Sequence, residues 1–204
     1  TNSEKYISQK KFKIINSEYS LNDFLKLWYD VYGENSLSPM LFTLSSIFQD
    51  IVVKKTTFFP ILFLQGGPSS GKDNLSQCCQ SFFGNPQPSI NIGANVSTPK
   101  ASIRELAQFK NSMSQFSEYK VGNSEKDEIL KGVWDRNGYK IGTIESKTST
   151  EEIPIFSSVI VTSNYTPINE ALITRFLWVN IEKNVFNKEQ TLKYDFFKET
   201  TLKG

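Results

Sequence analysis

The sequence predicts an α/β protein: a mainly parallel central sheet flanked by helices, preceded by a small helical region. Three observations predict it. Short apolar runs of strand length alternate with helix-length amphipathic stretches from residue 57 onward. A glycine-rich loop sits between the first such run and a helical pattern. No internal repeat or low-complexity tract breaks the alternation.

The elements follow in order. Residues 1–20 are polar and weakly patterned. Residues 21–32 carry Leu21, Phe24, Leu25, Leu27, Trp28 and Val31 at helical spacing, with Ser20 as N-cap. A second helix is expected over about 39–53. Residues 57–64 read as a buried strand that Pro60 weakens in its first half. Helix is expected over 72–83, a short strand over 88–92, and a helix over 98–110 with Thr98 as cap and Pro99 in the first helical position. Residues 113–118 read as a strand and 124–134 as a helix. Residues 139–144 read as half of a hairpin beside the turn signal Asn137-Gly138. Strand is expected over 155–162, helix over 167–174, strand over 175–181 and helix over 188–200. The expected division is a helical region over 1–56 and an α/β domain over 57–204.

Composition excludes several function classes. The 204 residues hold 23 Lys and Arg against 21 Asp and Glu, a net charge of +2, so no polybasic tail dominates, although a local basic patch is allowed. There is no histidine, which removes histidine triads, histidine bases and histidine metal ligands. The two cysteines, Cys78 and Cys79, are neighbours. They cannot build a disulfide framework or a four-ligand zinc site, and they read as small buried apolar residues of a cytoplasmic protein. The longest apolar run, 58–64, is too short for a membrane span, and no secretory signal is visible. The chain opens at Thr1 and ends in a helical pattern, so a fragment of a longer protein is expected.

Four motifs carry chemistry. The first is Gly66-Gly67-Pro68-Ser69-Ser70-Gly71-Lys72-Asp73, which matches G-x-x-x-x-G-K between strand and helix. Glycines let successive backbone N–H groups curl around a phosphate. The helix N-terminus adds a positive dipole end, and Lys72 reaches the β and γ phosphates of a nucleotide. The bland alternative is a glycine turn. Asp73 stands where Ser or Thr normally ligates Mg²⁺, and a carboxylate is also a hard oxygen ligand.

The second motif is Met113-Ser114-Gln115-Phe116-Ser117-Glu118. A P-loop ATPase offers an acidic pair here, one acid for Mg²⁺ and one for the attacking water. This chain keeps Glu118 for the water and has Ser117 in place of the first acid. We expect Asp73 to supply the missing carboxylate, with Ser117 adding a hydroxyl. Otherwise Glu118 is a solvated loop acid. The third motif is a hydrophobic strand ending in Thr162-Ser163-Asn164, whose amide can donate to a γ-phosphate oxygen and hold water. Its alternative is a strand closed by turn formers. The fourth is Ala171-Leu172-Ile173-Thr174-Arg175-Phe176, which places Arg175 between helix and strand, as an arginine finger or a surface salt-bridge residue.

In this order, GGPSSGKD, QFSEYK, LKGVWDRNGYK, PIFSSVIVTSN and ALITRF resemble the superfamily 3 helicase domain of phage and mobile-element primase-helicases. The segments span roughly 58–182. The resemblance implies an AAA+-like P-loop NTPase fold, ATP with Mg²⁺, single-stranded DNA as partner, and a homo-oligomeric, hexameric ring. It implies a primase as a further partner and no membrane. It also implies a hairpin between Glu118 and the Asn164 strand that projects cations into a pore. Here Lys131, Arg136, Lys140 and Lys147 are interleaved with Trp134 and Tyr139, a mixture that suits phosphates and stacked bases and equally an ordinary surface hairpin. Two rivals stand beside this reading: a P-loop kinase for a small substrate, and a nucleotide-dependent switch that hydrolyses little.

Overall fold

The computed structural model describes residues 18–93, 98–109, 112–136, 139–142, 150–153, 155–182 and 187–203. Helix α1 (Leu21–Tyr32) starts where Ser20 accepts a hydrogen bond from the Asp23 amide. It stops at Gly33, whose φ of +56° suits glycine. A 3₁₀ turn (Gly33–Ser36) leads into α2 (Leu37–Ile47) and α3 (Gln49–Thr56). Sequence spacing predicted one helix here, and the structure breaks it at Phe48. The hydroxyls of Thr43 and Ser46 bond back to the carbonyls of Pro39 and Phe42, a pattern that bends helices, and the Phe48 amide pairs with Ser45 in a tighter turn.

Strand β1 (Ile61–Gln65) begins four residues later than expected. Thr57 is spent as the left-handed C-cap of α3, its amide bonded to Val53 O, and Pro60 has no amide to give a ladder. The chain continues through α4 (Lys72–Ser81), β2 (Ile90–Asn91), α5 (Pro99–Leu106), β3 (Met113–Ser117) and α6 (Ser124–Trp134). Thr98 caps α5 as expected, accepting from the Ala101 amide. A hairpin of β4 (Tyr139–Gly142) and β5 (Thr150–Ile153) follows, its second strand unforeseen. Then come β6 (Ser158–Ser163), α7 (Glu170–Ile173), β7 (Phe176–Asn180) and α8 (Lys188–Lys203). The turn signal Asn137-Gly138 lies outside the described residues.

Five strands form one parallel sheet in the order β2-β3-β6-β1-β7. The α/β class with helices on both faces is therefore as the sequence predicts. Alternation along β1 sends Ile61 and Phe63 to one face, with Phe116, Val161, Leu106 and Leu130. It sends Leu62 and Leu64 to the other, with Leu75, Cys78, Cys79, Ile160 and Phe197. Trp28, Met40 and Phe42 from the N-terminal helices join this second core, so α1 and α2 pack on the same sheet face as α4. Both cysteines are buried, and burial pushes the Cys79 thiol up to about 12. Among the described residues no single helix is long and apolar enough to cross a membrane.

Candidate functional site

A parallel sheet gathers the C-terminal ends of its strands on one edge, and the loops leaving that edge converge there. In this chain β1, β3 and β6 are neighbours, with β6 in the middle. Gln65 ends β1 in register with Ser163, the last residue of β6, and the Gly66 amide donates to Ser163 O at 3.1 Å. On the other side the Ile181 amide donates to Gln65 O at 2.7 Å. Gly66 is clamped by these neighbours. A Cβ there would lie 2.4 Å from Ser70 Oγ and 2.6 Å from Ile181 O, so no side chain fits.

Beyond Gly66 the chain turns sharply. Ser69 has φ +60° and Gly71 +89°, and helix α4 starts at Lys72 with Gly71 as its N-cap residue. Lys72 Nζ donates to Gly67 O at 3.3 Å, which folds the ammonium over the loop it would share with a phosphate. The Tyr32 hydroxyl donates to Gly71 O at 3.3 Å. Burial pushes the pKa of that phenol well up. A cavity of about 380 Å³ opens beside the loop, lined by Tyr32, Asn35, Ser70, Asn74, Glu182 and Tyr194. The Asn74 amide donates to the Tyr194 hydroxyl at its wall.

The acidic residues arrange themselves around this loop. Asp73, exposed on the first turn of α4, accepts a hydrogen bond from Gln115 Nε2 at 2.9 Å. The same Nε2 donates to Thr162 Oγ1 at 3.2 Å. Ser117 is not part of this group. Its hydroxyl accepts from Ser89 Oγ at 2.9 Å, and among the described residues no hydrogen bond joins it to Asp73. Glu118 follows β3 with φ +60° and an exposed side chain, and its Cβ would be 3.3 Å from a Cβ built on Gly93. Asn164 is exposed directly after β6. Ser163 braces the two loops, donating to Tyr119 O at 2.9 Å and accepting from the Tyr165 amide at 2.9 Å.

Gly66 to Asp73, Glu118 and Asn164 therefore share one edge of the sheet. The donor set suits Mg²⁺ with a nucleotide, because that ion commonly takes one or two carboxylates beside phosphate oxygens and water. Asp73 offers such a carboxylate, and its Oδ2 accepts no hydrogen bond among the described residues. Gln115 and Thr162 lie within the second and third motifs without a role of their own there, and Tyr32 lies outside all four, yet their hydrogen bonds bring all three to the site. Gln115 was findable, since it lies two residues before Ser117 and shares its strand face.

The remaining candidates lie elsewhere. Arg175 precedes β7, and Phe176 pairs with Ile61 at the start of β1. A five-residue strand, roughly 16 Å, thus separates Arg175 from the loop of its own chain. Its guanidinium donates to Ala171 O. Arg136, one of the cations that the resemblance places toward DNA, turns its guanidinium inward in this structure, donating to Ser157 O at 2.7 Å and Gln49 Oε1 at 2.9 Å and lying 5.2 Å from the Phe59 ring centroid. Desolvation lowers its pKa to about 10. Lys131 pairs with Glu128 at 2.6 Å on the surface of α6. Lys140 stands on β4 in register with Glu152, and Lys147 lies outside the described residues.

No family model and no curated protein matches this chain. Solved structures do. The chain is similar to one described as SCCmec type IV Cch, active helicase, at 19% identity and TM-score 0.62, covering 94% of this chain and 36% of that one. It is similar to the apo form of the NrS-1 C-terminal region, at 17% identity and TM-score 0.53, covering 95% of this chain and 46% of that one. It is also similar to JCV helicase in complex with a thiazolopyridine acetamide, at 14% identity and TM-score 0.51, covering 91% and 54%. The chain thus spans between about a third and a half of the structures it matches. The parallel sheet and its flanking helices have the fold seen in these structures.

Proposed function

We propose that this chain is the ATP-binding and ATP-hydrolysing motor domain of a replicative DNA helicase, coupling turnover to movement on single-stranded DNA. The observation that carries the reading is the convergence of the Gly66–Asp73 loop, Glu118 and Asn164 at the C-terminal ends of three adjacent parallel strands.

The backbone of 67–72, through the N–H groups of every residue but Pro68, and the Lys72 ammonium bind the triphosphate. Its base and sugar enter the cavity walled by Tyr32 and Tyr194. Asp73 would hold Mg²⁺, and that ion would supply charge neutralisation at the phosphate oxygens. Glu118 accepts the proton of the attacking water. The Asn164 amide donates to the γ-phosphate. Arg175, a strand length from its own loop, serves the site of a neighbouring copy, so the working form is a homo-oligomer, a hexameric ring. Lys140 and Lys147 of the hairpin, with Lys131, contact the DNA backbone, and a primase acts alongside in the cytoplasm.

A slow nucleotide switch is the second reading. It is favoured by Ser117, which gives β3 no metal-binding acid and is engaged by Ser89. Steady-state ATP hydrolysis with and without single-stranded DNA separates the two, with Lys72→Ala as control. The motor reading expects turnover that DNA accelerates and Lys72→Ala abolishes. Tight ATP binding with no turnover in either condition supports the switch.

A further inference from the structure

We infer that Gln115 is a positioning residue for the divalent cation that accompanies ATP, acting through Asp73; the inference rests on the proposed ATP-binding reading. Gln115 lies on the face of β3 that meets α4, on an interior strand of the sheet, and is 5% exposed. A buried amide must satisfy both of its ends. Here both N–H bonds are used, one to Asp73 Oδ1 and one to Thr162 Oγ1, while Oε1 accepts from Gln80 Nε2 at 3.5 Å. A flipped amide would set its carbonyl against the Asp73 carboxylate, so the chemistry itself fixes which way the group points.

The consequence falls on Asp73. Its backbone is fixed in the first turn of α4, next to Lys72. Its side chain is exposed and would otherwise sample several rotamers. The bond from Gln115 ties Oδ1 and leaves Oδ2 without a protein donor among the described residues. The identity of the partner matters. A Lys or Arg at this place would neutralise Asp73 and compete with a metal. A neutral amide holds the carboxylate and leaves its charge available to a cation. Thr162, itself 2% exposed on β6, anchors the second N–H and so ties the arrangement to the strand that Asn164 follows.

The test measures metal binding rather than turnover. Mn²⁺ binding to the full 204-residue chain is followed by electron paramagnetic resonance with a non-hydrolysable ATP analogue present, and ATP binding is measured separately by calorimetry in EDTA. Gln115→Met removes the donors at similar volume. The expected result is unchanged ATP affinity in EDTA and Mn²⁺ affinity weakened about tenfold. Asp73→Ala weakens Mn²⁺ at least as much, and the double variant is no worse than Asp73→Ala alone, because Gln115 works through Asp73. Thr162→Val, which loosens the same amide from its other side, gives a smaller shift in the same direction and serves if Gln115→Met does not fold. Additive losses, or an unchanged Mn²⁺ affinity in a folded Gln115→Met or Thr162→Val protein, would overturn the inference while ATP binding stands. A wild-type chain that binds no ATP in EDTA or with metal overturns the ATP-binding reading, and this inference with it.

Discussion

Replacing Arg136 with alanine is expected to destabilise the fold and leave nucleic-acid binding intact. The guanidinium donates two hydrogen bonds, to Ser157 O and Gln49 Oε1, and rests against Phe59. Bonds from a charged donor contribute about 1.5–3 kcal/mol each, so their loss costs about 3–6 kcal/mol. Part of that returns, because burial already penalises this charge, as its lowered pKa shows. Gln49 Oε1 also keeps a donor in Ser158 Oγ at 3.1 Å. The net expectation is about 2–3 kcal/mol, or roughly 4–12 °C in Tm for a chain of this size. Arg136 also has φ +57°, so Arg136→Gly should be less damaging than Arg136→Ala by about 1 kcal/mol. Urea unfolding gives the stabilities, and fluorescence anisotropy with a labelled oligonucleotide gives DNA affinity. An Arg136→Ala protein within about 0.5 kcal/mol of wild type that has lost DNA binding would refute the reasoning.

Three further expectations use the same structure. Gly66→Ala drives a methyl group into Ser70 and Ile181, so calorimetry should show weakened ATP binding together with a stability loss of about 1–3 kcal/mol. Trp28→Ala empties a fully buried site between the N-terminal helices and the sheet, and denaturant unfolding should report a loss of about 3–5 kcal/mol. Tyr32→Phe removes one hydrogen bond to Gly71 O, costing about 0.5–1.5 kcal/mol, and should lower ATP affinity severalfold without abolishing it.

Much of this architecture is legible in the chain because local rules and the fold agree. Ser20 and Thr98 announce helix starts that the structure uses, and the apolar runs of β1 and β6 have the length and β-branched or aromatic content of buried strands. The glycine loop is legible because its backbone needs glycine at two places, Gly66 for space and Gly71 for φ. Strand β5 was missed because Thr150, Glu151 and Glu152 carry no apolar alternation, and pairing with β4 defines it. The inward contacts of Arg136 are not legible, because sequence shows a cation among aromatics, while only the tertiary fold brings Gln49 and Ser157, 87 and 21 residues away, to its guanidinium. Gln115 stayed hidden for the same reason, since Asp73 and Thr162 meet it across two elements.

On the proposed reading the ATPase site is shared, with the phosphate loop from one copy and Arg175 from the next. Mixing two inactive variants tests it most directly. Lys72→Ala lacks the phosphate-binding ammonium but keeps its arginine. Arg175→Ala keeps the loop but lacks the finger, and should bind ATP normally while turning over about 10³-fold more slowly or worse. The account predicts that an equal mixture regains ATPase activity, up to about a quarter of the wild-type rate per chain if subunits assort at random. A mixture as inactive as its components, alongside wild-type turnover per chain that does not change with protein concentration, would contradict it.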